Sequence, residues 1–198
     1  MWVFEEQVDG KPLTQIINEQ HENIKYLPGH RIPPNIIADP DLVHAIQGAN
    51  ILIFVVPHQF LDSTLHRIKD HVVPSSIGIS LIKGTNNPLS VLHPFLLAKH
   101  TFCFIFYHLS FISSPGISVS ERGKVELLST QIKHTLGLSC RGVLMGGNVA
   151  GDVASGSLCE STLALEDPSL GPLLQPLFAT PSFHVQVIDD VDGAELAG

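Results

Sequence analysis

The chain has 198 residues, room for one ordinary domain at roughly 150 residues per domain. Nineteen acidic residues against eleven basic ones leave a formal charge of −8, the wrong sign for a surface that binds nucleic acid by displacing counterions from phosphate. Charged residues make up 15% of the chain, below the ~25% of an average domain, and mean hydropathy is +0.25, so composition excludes a disordered chain.

Predicted elements alternate short β-branched runs with helical periods, the pattern of an α/β domain. Trp2 to Phe4 reads as a short strand, followed by a polar helix from about Leu13 to His21 and a loop around Pro28-Gly29. Asn35 to Ala38 reads as a brief strand, and Asp39-Pro40 as an N-cap with proline at the first helical position. Leu42, Val43, Ile46 and Ala49 give that helix an apolar face. Ile51 to Val56 is a continuous apolar run, as expected of a central parallel strand buried on both faces. Leu61, Leu65, Ile68 and Val72 then recur at helical spacing, and Ile77 to Ile82 is a second buried strand, closed by Lys83-Gly84.

Further on, Val125, Leu128, Ile132 and Leu136 mark a helix, with Ser118 and Glu121 placed as its capping box. Gly142 to Met145 reads as a strand, with Gly146-Gly147-Asn148 opening a helix of small residues. Asp167-Pro168 opens another helix, with Leu170, Leu173, Leu174, Leu177 and Phe178 on one stripe. Phe183 to Ile188 closes as a strand, and a last helix starts near Val191.

One stretch departs from this alternation. No acidic residue lies between Asp70 and Glu121, and Thr101 to Ser113 is apolar and aromatic without a clear period. Its β-propensity and lack of charge are those of an aggregation-prone segment. It is shorter than the ~18 apolar residues of a membrane span, so no membrane association is expected. The first residues lack the basic start and apolar run of a secretory signal. Cys103, Cys140 and Cys159 show no paired spacing, which suits a reducing compartment. His100, Cys103 and His108 match no standard zinc spacing, and no metal site is expected.

In alternating parallel sheets ligands bind at the carboxyl ends of the strands. That rule selects Phe4-Glu5-Glu6, Pro57-His58-Gln59-Phe60, Lys83-Gly84 and Gly146-Gly147-Asn148. An acidic residue after a dinucleotide-fold strand commonly holds a ribose hydroxyl, a role open to Glu5 or Glu6, for which two solvated glutamates are the plainer reading.

The motifs WVFEE, HENIKYLPGH, ILIFVVPHQF, GISLIKG and VLMGGNVAGDVA, in this order, resemble the cytosolic eukaryotic NAD-dependent glycerol-3-phosphate dehydrogenase family. The resemblance covers residues 1 to about 84 and about 124 to 198. It implies an α/β fold of incomplete Rossmann type, a doubly wound, mainly parallel sheet lacking its first strand and glycine-rich turn. It also implies a partial NAD-binding domain over 1–198 with an atypical apolar insert at about 85–120, and no C-terminal helical substrate domain. A sheet without its first strand is expected to leave a neighbouring strand edge unpaired. The family transfers hydride between NADH and dihydroxyacetone phosphate, giving glycerol 3-phosphate, and works as a cytosolic homodimer.

Carried over position by position, the resemblance makes Phe4, Phe60 and Ala150 cofactor contacts and Lys83 the substrate-binding lysine. A lysine ending a buried strand suits that role, since its ammonium can meet a phosphate or polarise a carbonyl. Taken without the motif, Phe60 reads as a core aromatic and Lys83 as a lysine snorkelling at a strand end. The family's catalytic lysine is expected just beyond Gly198, on the helix that opens with Val191-Asp192-Gly193-Ala194-Glu195. Little turnover is therefore expected of this chain alone, and a non-catalytic product that pairs with the full-length enzyme is the alternative.

Overall fold

A computed structural model describes residues 1–82, 126–147 and 149–198 in full, together with the backbone pairing of 102–106, 117–119 and 125. Lys83, Gly84, Glu121 and Asn148 lie outside the described residues, as does most of the 85–120 segment.

The chain opens in extended backbone. The strand expected at Trp2 to Phe4 reduces to a parallel bridge between Trp2 and Asp39, framed by Val3 N–H to Asp39 C=O and Asp39 N–H to Met1 C=O, each 2.9 Å. Strands β1 (Gln7–Val8) and β2 (Lys11–Pro12) follow as a small antiparallel hairpin. Its turn, Asp9-Gly10, holds φ of 50° and 80°, the positive pair that a two-residue Asp-Gly turn supplies. Helix α1 (Leu13–Gln20) ends at His21, which takes a left-handed φ of 54°. Residues 35–38 form no strand. Ile36 N–H instead closes a turn on Pro33 C=O at 3.0 Å, and Asp39 takes over the pairing with Trp2.

Helix α2 (Leu42–Ile46) starts two residues later than Asp39-Pro40 suggests. The cap is Asp41, whose carboxylate accepts from Val43 N–H (2.8 Å) and His44 N–H (3.1 Å). Asp39 is already committed to Trp2 and also accepts from Asp41 N–H at 2.9 Å. Strand β3 (Ile51–Val55), helix α3 (His58–Ile68) and strand β4 (Ile77–Ser80) match the sequence pattern.

Strand β5 (Phe102–Phe106) lies parallel to β3 at the edge of the main sheet. A neighbouring strand edge is expected to be open, but the edge of β3 is paired. Five charge-free residues of high β-propensity complete the ladder that would otherwise expose β3. Strands β6 (Ile117–Val119) and β7 (Val125–Leu127) pair antiparallel. Ser118 thus sits in a strand opposite Glu126 rather than in a capping box. Helix α4 (Leu128–Leu136) starts where that ladder ends, and its preceding residue, Leu127, supplies no side-chain cap.

Strand β8 (Cys140–Gly146) and helix α5 (Ala150–Ala154) follow, then strand β9 (Cys159–Leu165), which sequence reasoning missed. Asp167 caps a 3-10 turn (Pro168–Leu170) that leads into helix α6 (Gly171–Phe178). Strand β10 (Phe183–Ile188) and helix α7 (Val191–Ala197) close the fold.

The main sheet has six strands in the order β10-β9-β8-β4-β3-β5. The β3–β5, β3–β4, β4–β8 and β9–β10 pairs are parallel, and β8–β9 is antiparallel. Helices cover both faces. Leu52, Phe54 and Val56 pack with Leu42, Leu61, Leu65, Leu128 and Ile132 on one side. Ile51, Ile53, Ile79 and Leu163 pack with Val153, Leu174 and Phe178 on the other. This two-sided burial explains why β3 reads as an uninterrupted apolar run. The outer edge at β10 is partly covered: Thr180 exchanges backbone hydrogen bonds with Phe183 (3.0 and 3.2 Å), and Gln175 Nε2 donates to Val185 C=O at 2.6 Å.

Candidate functional site

Because β3, β4 and β8 run parallel, their carboxyl ends reach the same edge of the sheet. Pro57 and α3 leave that edge after β3, Ile82 after β4, and Gly146-Gly147 after β8. Strand β9 runs the opposite way, so its first residues, Cys159 to Ser161, return to the edge opposite Gly146.

Gly146 sets the turn. Its φ is +128°, and a Cβ there would lie 2.9 Å from both Glu160 O and Ser161 Cα. No other residue fits without moving backbone. Gly147 N–H donates to Glu160 C=O at 2.8 Å, which locks the turn to β9. The backbone then enters α5, whose first residue, Ala150, is 4% exposed. Small residues along this path leave room for a ligand to approach main chain.

Phe60 stands in the first turn of α3, half-buried, and its N–H bonds Pro57 C=O at 2.9 Å. This helix start has no side-chain cap and no acidic residue in its first turn, so α3 itself supplies no carboxylate to neutralise the positive end of its dipole. His58 opens the helix. Phe60 and Ala150 thus share one edge, on helices that leave strands flanking β4. Phe4 follows the Trp2–Asp39 bridge and is 42% exposed, its ring borne by extended backbone rather than by a strand. Lys83 is one residue beyond Ile82 and outside the described residues.

The two glutamates considered for a ribose are engaged within the protein. Glu5 accepts from Thr14 N–H at 3.3 Å and from the Thr14 hydroxyl. Glu6 pairs with the Lys25 ammonium and accepts from Tyr26 OH at 2.6 Å. Burial and the bond to Glu6 push the Tyr26 phenol up to about 12, and the Lys25 ammonium is raised chiefly by Glu6. These residues tie α1 and the 22–31 loop to the first segment. A cleft of about 580 Å³ opens beside Gly146, lined by Ser161, Gln175, Thr180, His184 and Gln186 among others. It includes none of Phe4, Phe60 or Ala150.

The sequence profile described as NAD-dependent glycerol-3-phosphate dehydrogenase N-terminus matches residues 1–99, half of the chain. The chain belongs to that family. The matched span runs past residue 84, where the resemblance in the motifs ends. Among curated relatives, the cytoplasmic glycerol-3-phosphate dehydrogenase [NAD(+)] of Rattus norvegicus is 42% identical over all 198 residues and that of Homo sapiens 41%. In both cases the match spans 47% of the relative, so the chain covers about half the length of these glycerol-3-phosphate dehydrogenases. The solved glycerol-3-phosphate dehydrogenase of Saccharomyces cerevisiae superposes with a TM-score of 0.78 at 35% identity, covering all of this chain and 49% of that one. The enzyme of Plasmodium falciparum gives 0.72 at 30%, covering 96% of this chain and 43% of that one. The mainly parallel six-stranded sheet is thus the Rossmann-type fold of the glycerol-3-phosphate dehydrogenase N-terminal region, and NAD is the cofactor that the family's description names.

A buried polar network near the end of the chain escaped sequence reasoning. Glu195, 2% exposed, accepts from Ser129 N–H at 3.0 Å and from the Ser129 hydroxyl. Arg141 Nη1 donates to Ser129 Oγ at 2.7 Å, and Arg141 Nη2 to Asp192 at 2.6 Å. Burial raises the Glu195 carboxyl above its ordinary value, against the pull of Ser129 and Arg141. A glutamate one turn into a short helix carries no sequence sign of burial, because its partners lie 66 and 54 residues away in the chain.

Proposed function

We propose that this chain forms the cofactor-holding half of an NAD-dependent glycerol-3-phosphate dehydrogenase, which interconverts sn-glycerol 3-phosphate and dihydroxyacetone phosphate. The observation that supports this reading best is the shared carboxyl edge of β3, β4 and β8, in a chain of an NAD-dependent family. The residues there suit one end of a dinucleotide. Gly146-Gly147 and Ala150 let main chain come close, Phe60 offers an apolar ring, and the uncapped start of α3 favours negative charge. Bound NADH supplies the hydride. The chain's part would be to hold the cofactor through Phe60, Ala150 and Phe4, the ring of Phe60 suiting the nicotinamide or ribose end. Lys83, as in the motif it matches, meets the substrate phosphate or polarises its carbonyl.

The region of about 85–120 is read as an insertion within the NAD-binding domain. The cytoplasmic names of the relatives favour a cytosolic location, and a homodimer is the expected assembly. Calorimetric titration of the 198-residue chain with NADH tests the reading. Saturable binding at one site per chain, weakened by Phe60→Ala, is expected; an absence of heat at millimolar cofactor refutes it. Turnover of dihydroxyacetone phosphate with NADH is expected to be low for a chain that spans half of its relatives, and a rate equal to that of a full-length relative overturns that expectation.

A further inference from the structure

We propose that Glu195, acting through Ser129 and Arg141, is a positioning residue that latches helix α7 to the cofactor edge. The inference rests on the cofactor reading for what the edge does, whereas the latch itself is a property of the fold.

Helix α7 is a single short element attached by a narrow apolar contact. Val191 packs with Val143, Met145 and Ala164, with Ile188 and Ala194 beside them. The helix climbs back along β8 so that its end reaches the top of that strand. A Cβ placed on Gly198 would stand 2.6 Å from Met145 Cβ. Met145 immediately precedes Gly146, the residue whose constrained turn leads to Ala150. The rise and rotation of α7 therefore set the packing around the Met145 side chain, next to the turn that shapes the edge.

Hydrogen-bond donors and acceptors fix the direction of the network. Arg141 Nη1 donates to Ser129 Oγ, so the one hydroxyl proton of Ser129 goes to Glu195 Oε2, while Ser129 N–H goes to Oε1. Both carboxyl oxygens act as acceptors, an arrangement complementary to a carboxylate. Asp192, one turn earlier, holds the second arm of the same guanidinium. Two acidic side chains on one face of α7 are thus tied to α4 and β8 through one serine and one arginine. Among the described residues, the charged groups around the latch are Arg141 from β8 and Asp192 from α7. Beyond Arg141 stands the Lys133–Glu166 pair, whose carboxylate also accepts from Arg141 N–H at 3.4 Å. Losing a partner from the buried Ser129–Glu195 pair leaves an unpaired donor or acceptor and is far costlier than losing an exposed bond such as that from Arg141 to Asp192.

Hydrogen–deuterium exchange of the full 198-residue chain, read over residues 189–198 with and without NADH, tests the latch. In Glu195→Ala and Ser129→Ala, exchange of α7 is expected to accelerate about tenfold or more, with Glu195→Gln intermediate because it retains an acceptor for Ser129 N–H. Saturating NADH is expected to slow α7 exchange in the wild-type chain and to lose that effect in Ser129→Ala, because the coupling free energy between the two sites runs through Ser129. Should Glu195→Ala fail to fold, Ser129→Ala, which removes one hydroxyl, carries the decision. Unchanged α7 exchange in Ser129→Ala shows that apolar packing alone holds the helix and overturns the latch. NADH that binds without altering α7 exchange overturns the coupling. NADH that does not bind the wild-type chain refutes the cofactor reading and the coupling together, while the latch is still judged by exchange in the variants.

Discussion

Gly146→Ala probes the turn on which the edge depends. Two independent costs arise. The backbone at φ +128° is a conformation essentially reserved for glycine, and imposing it on another residue costs about 1–3 kcal/mol. The added Cβ also meets Glu160 O and Ser161 Cα at 2.9 Å, and because both are main chain of β9, relief requires strand movement, at about 1–3 kcal/mol. A total of about 4 kcal/mol is a large share of the ~5–15 kcal/mol by which domains are stable, and corresponds to a fall in Tm of roughly 8–16 °C for a chain of this size. Urea unfolding followed by circular dichroism measures it. Gly151→Ala is the internal control. It lies in α5, has no positive φ, and a Cβ there meets nothing within 4 Å, so alanine is expected to be neutral or stabilising by about 0.5–1 kcal/mol. If Gly146→Ala unfolds within about 0.5 kcal/mol of the wild-type chain, the turn is not constrained as described.

Phe60→Ala is expected to raise the NADH dissociation constant roughly tenfold, about 1.4 kcal/mol, and unchanged affinity in calorimetry removes Phe60 from the site. Trp2→Phe deletes the indole N–H that donates to Pro40 C=O at 3.0 Å and trims a ring 2% exposed. A loss of about 1–3 kcal/mol in urea unfolding is expected, and no loss shows that the first segment is not docked. The raised carboxyl of Glu195 makes docking of α7 depend on pH. Between the ordinary glutamate value and the raised one, the folded state binds more protons than the unfolded state, so stability contributed by this group falls as pH rises through that window and levels off above it. Glu195→Gln is expected to flatten that part of a stability–pH profile, and an unaltered profile refutes the assignment.

The sequence by itself determined the parts of this protein that rest on local periodicity. The apolar runs of β3 and β4, the 3.6-residue stripes of α3, α4 and α6, and the Asp167-Pro168 turn were legible because each element's burial is written into its own residues. The edge that bears Pro57 to Phe60 and Gly146-Gly147 followed from parallel order, whereas Ala150 was singled out only by the family resemblance. The Asp9-Gly10 hairpin carried a clear turn signal too, in a segment otherwise read only from Leu13 onward. Tertiary structure decided the rest. Strand β9 is built from Cys-Glu-Ser-Thr-Leu-Ala-Leu, in which alanine and leucine favour helix as readily as strand, and only antiparallel pairing with β8 settles the choice. Asp41 rather than Asp39 caps α2 because Asp39 is held by Trp2 from the other end of the chain's first segment. Phe102–Phe106 becomes a strand because β3 presents an edge to pair with, and Glu195 becomes a buried anchor because Ser129 and Arg141 arrive beside it through folding. A local period records which face of an element is apolar, whereas a partner tens of residues away leaves no mark on the spacing of the residues it meets.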